Sequence, residues 1–244
     1  MTLFRILAAV AFLAPAALRA EEPCPSAMAP ALALPHARRA MAETERLQIV
    51  ALGSSTTQGW MATSPAQSYP AQLQADLGRL LPRAHVTVLN RGIGGQDAAE
   101  EVLRLEADAI APKPSIVIWQ VGANGALRNS DPEVFKHLVA RGIERLKAAG
   151  IDVVLMDNQR SPMILASPEH AAIDEALAAV AKRDRIELFS RGALMDAWQN
   201  EGAPYGRFIS PDNLHHNDEG YRCLAAALAR SIASGLAPGF AQSK

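Results

Sequence analysis

Short apolar runs alternate with longer amphipathic segments from Leu47 onward, and this alternation restricts the possible folds most strongly. The apolar runs predict strands at 47–53, 85–90, 115–122, 152–157 and 186–190. The amphipathic segments predict helices at 69–82, 98–111, 131–150, 167–184 and 217–236. Strands that are apolar on both faces are typical of a parallel sheet covered by helices on both sides. The pattern therefore predicts a doubly wound α/β domain with five parallel strands, whose ligand site lies at the carboxyl ends of the strands.

The composition excludes several functional classes. Apolar residues make up 49% of the 244 residues, charged residues make up 20%, and the formal net charge is −1. These values are ordinary for a globular protein and exclude a disordered tail or a basic nucleic-acid binder. Two cysteines are too few for a disulfide scaffold or a zinc finger.

Residues 1–20 are predicted to be a signal peptide. Arg5 supplies the positive start, residues 6–18 are apolar apart from Pro15, and Ala20 is a small residue suited to cleavage. The alternative is an uncleaved anchor, but the apolar stretch is shorter than the roughly 20 residues that span a bilayer. We therefore expect a periplasmic or secreted protein whose mature chain has no stable membrane insertion.

The remaining chain divides into an extension and one domain. Residues 21–45 are rich in proline and alanine and form the predicted N-terminal extension, with a short helix near 37–44. Residues 46–238 form the predicted domain. Cys24 and Cys223 both remain after cleavage, and an oxidising compartment favours a disulfide between them. The alternative is two free thiols, with Cys223 buried in a helix.

The loop after the first predicted strand contains a candidate nucleophile. It reads GSSTTQG over 53–59, and a serine at such a strand-to-loop turn exposes its hydroxyl above the sheet edge. Ser55 is then a nucleophile, or the loop's hydroxyl and N–H groups bind a phosphate; the loop alone does not decide. Thr57 occupies the second glycine position of the G-x-S-x-G elbow, which argues against the ordinary α/β-hydrolase layout.

A serine nucleophile needs a base, and the loop before the last helix offers one. Asp212 precedes His215 by three residues in PDNLHHN, so a turn can bring the carboxylate to the imidazole Nδ1–H and leave Nε2 free to accept a proton. The alternative is a turn closed by an Asx-type bond, with both His215 and His216 solvated. A metal site built from these three side chains would need a further ligand that the sequence does not identify.

Two further loops can supply hydrogen-bond donors for an oxyanion. NRGIGG over 90–95 contains glycines that let a backbone N–H approach a ligand, and Asn124 in GAN over 122–124 offers a side-chain amide. Taken separately, these are an ordinary glycine turn and a cap at a strand end. Together with Ser55 and His215 they fall at the same edge of one predicted sheet, a coincidence that packing alone does not explain.

In these four blocks the chain resembles the SGNH hydrolase superfamily, also called GDSL esterases and lipases. Serine, glycine, asparagine and histidine occur in the family's order, as Ser55, Gly95, Asn124 and His215. The resemblance extends from about 47 to about 236. Each motif is short, but their order, spacing and positions on the predicted fold agree.

The resemblance implies a flavodoxin-like three-layer α/β/α sandwich and hydrolysis of esters or thioesters without a metal or other cofactor. Ser55 would be the nucleophile and His215 the base, oriented by Asp212. The oxyanion hole would comprise the N–H groups of Ser55 and Gly95 and the side chain of Asn124.

Three positions depart from the family pattern. Ser54 replaces the usual aspartate of G-D-S, Gly125 stands where the third block often has aspartate, and His216 stands where many members have proline. The first two positions do not carry the chemistry directly, but they bear on the hydrogen bonds that hold Ser55 and Asn124.

The functional hypothesis is an exported serine ester hydrolase that acts through an acyl-serine intermediate on a small ester or an acylated glycan. Two alternatives remain open. One is an O-acyltransferase that uses the same residues with a sugar hydroxyl as acceptor. The other is a non-catalytic flavodoxin-like module whose Ser/Thr loop holds a phosphate.

Overall fold

The structure is a computed structural model that describes residues 22–236. The predicted signal peptide, 1–20, lies outside the described residues, as do 237 and 238 at the end of the predicted domain.

The sheet has five parallel strands in the order β2-β1-β3-β4-β5. Their bounds are Arg46–Gly53 (β1), His85–Gly92 (β2), Ile116–Gln120 (β3), Asp152–Met156 (β4) and Glu187–Phe189 (β5). The order changes direction at β1, which pairs with β2 on one side and β3 on the other. The predicted parallel sheet is therefore confirmed, and the carboxyl end of β1 lies at the switch point where such sheets bind ligands.

Helices cover both faces of the sheet. Their bounds are Pro35–Thr44 (α1), Ser55–Gln58 (α2), Tyr69–Leu80 (α3), Ala98–Leu103 (α4), Ala123–Leu127 (α5), Pro132–Ala148 (α6), Pro162–Ala166 (α7), His170–Asp184 (α8), Arg191–Asn200 (α9) and Asp218–Leu236 (α10). Within residues 22–236, no helix combines the length and the apolar character needed to cross a membrane.

Two separate hydrophobic cores lie on the two sides of the sheet. Alternate residues of β1 enter different cores: Ile49 and Ala51 pack with α1, α3, α9 and α10, whereas Val50 and Leu52 pack with α4, α6 and α8. This explains why the strands are apolar on both faces. The three-layer α/β/α sandwich is confirmed.

Two predicted helices differ from the structure. The predicted helix 98–111 ends as an α-helix at Leu103 and continues as a π-helical turn over Glu106–Ile110, a change that hydrophobic spacing does not distinguish. The predicted helix 167–184 corresponds to α8, which begins three residues later at His170, and a separate short helix, α7, precedes it.

Helix α9 was not predicted at all. Its inward face begins with Arg191 and Gly192, both buried. Because a charged residue and a glycine do not count as an apolar stripe, the periodicity of this segment is too weak to indicate a helix.

The segment from residue 22 to α1 packs tightly on the domain. Leu32 and Leu34 are buried in the first core, and the Leu32 N–H donates to the Ser231 carbonyl of α10. A Cβ at Gly235 would lie 1.8 Å from the Leu32 carbonyl oxygen, so glycine permits this crossing. Cys24 and Cys223 form a disulfide that ties the start of the segment to α10.

Candidate active site

The turn that follows β1 holds Ser55 at the carboxyl edge of the sheet. Ser55 is the first residue of α2. The preceding Ser54 is buried, and its N–H and hydroxyl donate to Gln120 Oε1 at 3.3 and 3.4 Å. The Thr57 hydroxyl donates to the same oxygen at 3.1 Å. The side chain of Gln120, at the end of β3, thus anchors both flanks of Ser55.

Ser55, His215 and Asp212 form a hydrogen-bonded triad. Ser55 Oγ lies 2.7 Å from His215 Nε2, and His215 Nδ1 lies 2.6 Å from Asp212 Oδ2. Because the carboxylate can only accept, Nδ1 carries the proton and Nε2 is left to accept the serine hydroxyl. The structure therefore brings together three residues that lie on two distant loops of the sequence.

Asp212 is held in its ionised form by hydrogen bonds. Partial burial opposes ionisation, but the carboxylate accepts from the Ser210 hydroxyl at 2.5 Å, the His215 ring, and the backbone N–H groups of Leu214 and His215. Together these donors bring the pKa of Asp212 well below its usual range. A permanent negative charge beside His215 stabilises the imidazolium that forms when the ring takes a proton.

His216 faces the opposite way from its neighbour. Its ring is fully buried against Tyr221, with ring centroids 5.6 Å apart, and its Nδ1–H donates to the Phe208 carbonyl at 3.1 Å. Burial, with the nearby Arg191 cation, lowers the pKa of His216 to about 3. The side chains of Asp212, His215 and His216 therefore do not converge on one point.

The predicted oxyanion donors lie on three segments: the Ser55 turn, the loop after β2 with Gly95, and the start of α5 with Asn124. Within residues 22–236 no acceptor pairs with the backbone N–H of Ser55 or of Gly95, which has a φ of +81°. Gly94 N–H donates to Gln58 Oε1 at 2.9 Å, which fastens this loop to α2. Asn124 Nδ2 donates to the Gln96 carbonyl at 2.7 Å, which uses one of its two hydrogens.

Sequence reasoning missed the residues that hold these loops in place. Gln120 anchors the Ser55 turn, and Arg128 donates to the Gly95 carbonyl at 2.6 Å. Arg104 connects both loops. A single glutamine or arginine within a predicted helix or strand belongs to no recognisable motif, so only the structure identifies these residues.

Sequence reasoning also missed Trp60, an aromatic residue beside the triad. Its side chain is 54% exposed, and its ring centroid lies 6.4 Å from that of His215. The Trp60 N–H donates to the Ser55 carbonyl at 2.9 Å, and its carbonyl accepts from the Tyr221 hydroxyl at 2.7 Å. The backbone of Trp60 is thus held in place, and its exposed ring lies beside His215.

A flavodoxin-like sheet with a serine, glycine, asparagine and histidine at its carboxyl edge defines the SGNH class of proteins. The chain belongs to the non-GDSL lipase-like family, whose model matches residues 22–238. The resemblance noted in the sequence is therefore confirmed.

Two relatives and one solved structure illustrate the similarity. The uncharacterized lipoprotein YqeF of Bacillus subtilis is 31% identical over 115 residues, which cover 44% of this chain and 46% of YqeF. Esterase TesA of Pseudomonas aeruginosa is 30% identical over 112 residues, covering 46% of this chain and 50% of TesA. The matched parts therefore span about half the length of these relatives.

A two-domain esterase (CEX) active on acetylated mannans has a similar crystal structure, with a TM-score of 0.72 and 23% identity. The match covers 89% of this chain and 57% of that one. This likeness shows the fold.

Proposed function

We propose that this chain hydrolyses carboxylic esters through an acyl-enzyme intermediate on Ser55. The observation that carries the proposal is the triad, with Ser55 Oγ 2.7 Å from His215 Nε2 and His215 Nδ1 2.6 Å from Asp212. His215 takes the hydroxyl proton as Ser55 attacks the ester carbonyl, and then gives that proton to the departing alcohol. A water molecule, deprotonated by the same ring, releases the acid and restores Ser55.

The negative oxygen formed in each step is bound by three donors in this proposal. They are the N–H groups of Ser55 and Gly95 and the Asn124 side-chain amide. The free N–H groups described above support the first two. One hydrogen of the Asn124 side-chain amide donates to the Gln96 carbonyl and so orients the amide. The second hydrogen remains available to donate to the oxyanion.

We infer that the substrate is a small acyl ester on a sugar. The support is Trp60, whose exposed ring beside His215 offers a flat apolar face to the alcohol part of an ester. A single flat ring suits a sugar ring better than a long acyl chain, which needs enclosure on several sides. The esterase with the similar fold is active on acetylated mannans, which is consistent with this choice.

We also propose that the protein is exported, with 1–20 as its signal peptide, 21–45 as its extension and 46–238 as its domain. The disulfide between Cys24 and Cys223 supports this, because such bonds persist in oxidising compartments. The relative YqeF of Bacillus subtilis is a lipoprotein, which agrees with a location outside the cytoplasm.

A hydrolysis screen tests the proposal. The substrates are 4-nitrophenyl esters of increasing acyl length and acetylated oligosaccharides, and Ser55→Ala is the matched blank. We expect fastest turnover with acetyl esters and no turnover by the blank. Equal rates for the wild type and the blank would refute ester hydrolysis and leave the phosphate-binding module.

Free oligosaccharide added to the same reactions separates the hydrolase from the acyltransferase. We expect free acetate as the product throughout. Acetylated acceptor in place of acetate would assign the acyltransferase to the same residues.

A further inference from the structure

Arg104 contacts two of the segments that carry the proposed oxyanion donors, the end of β1 and the loop after β2. The residue follows α4 directly, and its side chain is only 12% exposed. Its Nη2 donates to the Gly53 carbonyl at 2.9 Å, and its Nη1 donates to the Arg91 carbonyl at 2.8 Å. Its Nε donates to Gln96 Oε1 at 2.6 Å. One guanidinium thus joins the end of β1, the end of β2 and the loop that follows β2.

Each of these acceptors is close in sequence to a proposed oxyanion donor. Gly53 is two residues before Ser55, and Gln96 is the residue after Gly95. The backbone carbonyl of Gln96 also accepts from Asn124 Nδ2 at 2.7 Å. The three donors therefore belong to segments that are held relative to one another through the Arg104 side chain.

The charge of Arg104 is balanced by an aspartate. Asp108, one helical turn further on, accepts from Nη1 at 2.9 Å. The cation is therefore paired with a carboxylate, while its other hydrogen bonds go to neutral backbone and amide oxygens. Charge-assisted hydrogen bonds of this kind are stronger than neutral ones, and the planar fork of arginine fixes their directions.

We propose that Arg104 is a positioning residue that sets the spacing of the oxyanion donors; this inference rests on the proposed function. Within residues 22–236 its hydrogen bonds go to none of the three triad residues. Its effect acts through the Ser55 turn and the Gly95–Gln96 loop, and through Gln96 it reaches Asn124.

A positioning role has a distinct kinetic signature. Donors aimed at charge that develops only in the transition state contribute to kcat and not to substrate affinity. Lysine keeps the charge but offers only one nitrogen, so it cannot hold Gly53, Arg91 and Gln96 together. Arg104→Lys should therefore lower kcat on the order of tenfold to a hundredfold and leave KM within about twofold.

The experiment compares Arg104→Lys and Arg104→Ala with the control Arg145→Ala. Arg145 also bonds a backbone carbonyl of α4, that of Val102 at 3.0 Å, but within residues 22–236 its hydrogen bond and its ion pair do not reach the segments with the oxyanion donors. Each variant is assayed for kcat and KM on 4-nitrophenyl acetate, with its melting temperature measured alongside. Millimolar guanidinium added to Arg104→Ala should restore part of kcat and none in the control.

A double-variant cycle with Asn124→Ala supplies the readout that loss of folding cannot imitate. If Arg104 acts through the hole, Arg104→Lys should cost much less in the Asn124→Ala background than in the wild type. Equal losses in both backgrounds, or a fall in melting temperature with unchanged kcat in the folded fraction, would overturn the inference. A wild type no faster than Ser55→Ala would instead refute the proposed function, and with it this role.

Discussion

The pKa values of two aspartates at the same edge of the sheet are shifted in opposite directions. Asp212, beside His215, is partly exposed and receives several hydrogen bonds, so its pKa lies well below its usual range. Asp157, just after β4, is 6% exposed, and burial raises its pKa to about 6 despite hydrogen bonds from the Ser190 hydroxyl and the Gly192 N–H. The balance between burial and donors therefore decides whether the pKa of a carboxyl group is raised or lowered.

The two regions also differ in what they hold. Asp212 orients His215 toward Ser55. Asp157 instead joins β4 to the start of α9: its carboxylate accepts from Ser190 and Gly192, and its backbone carbonyl accepts from the buried Arg191 at 2.8 Å. One aspartate serves the proposed chemistry, and the other fastens a helix that the hydrophobic pattern does not reveal.

The largest expected effect distinguishes the two adjacent histidines, one in the proposed triad and one buried in the core. His215→Ala should lower kcat by about 10⁴-fold or more, because the base is lost. His216→Ala should leave kcat within a few-fold and lower the melting temperature, because a buried ring is removed. Steady-state rates on 4-nitrophenyl acetate measure kcat of both variants, and thermal melts measure their stability. The reverse outcome would make His216 the base.

The two aspartates themselves are the next comparison. Asp212→Asn should lower kcat by about 10⁴-fold, since an amide favours the wrong tautomer of His215. Asp157→Asn should change kcat only a few-fold. Both variants are measured with the same ester under identical conditions. Similar losses in the two would show that the contrast drawn between these regions does not govern catalysis.

Asn124 tests the donor side of the same site. Asn124→Ala should lower kcat on the order of 10²–10³-fold with little change in KM, because its amide binds charge present only in the transition state. Full kinetic curves with an acetyl ester separate the two constants. An increase confined to KM would mean that Asn124 only binds substrate.

The smallest expected effect concerns stability and pH at Asp157. Its pKa is about 6 when folded and near about 3.9 when unfolded. The folded state binds this proton more tightly, so the stabilisation is complete below about pH 4 and is lost as the pH rises through 6. The loss is at most roughly 3 kcal/mol, at about 1.4 kcal/mol for each unit.

Denaturant unfolding of the wild type and Asp157→Asn between pH 4 and 7 measures this contribution. We expect the difference between the two free energies of unfolding to change across that range in the stated direction. A difference independent of pH would show that Asp157 is ionised throughout.

The order of strands and helices and the residues of the triad could both be predicted from the positions where the strands end. Strand ends are marked by sharp changes from apolar to polar residues, and in a parallel sheet those ends meet at one edge. Ser55 and His215 could therefore be placed together although 160 positions separate them. The disulfide could be expected because only Cys24 and Cys223 are present.

What escaped prediction depends on single long-range contacts. Arg191 is charged and fully buried, so it conceals the inner face of α9. Arg104 falls inside a segment that looks like one continuous helix, and two of its four acceptors are backbone carbonyls, which no sequence pattern reports. The opposite orientations of His215 and His216 follow from the turn geometry, since both occur in the same polar loop.

Covalent labelling tests the central claim, an activated Ser55, most directly. The folded wild type is incubated with a fluorophosphonate, and the adduct is located by peptide mass spectrometry, with His215→Ala and His216→Ala as matched samples. The account predicts one adduct, on Ser55, formed by the wild type and by His216→Ala but not by His215→Ala in the same time. An adduct on another residue, or no adduct in a preparation that hydrolyses esters, would contradict it.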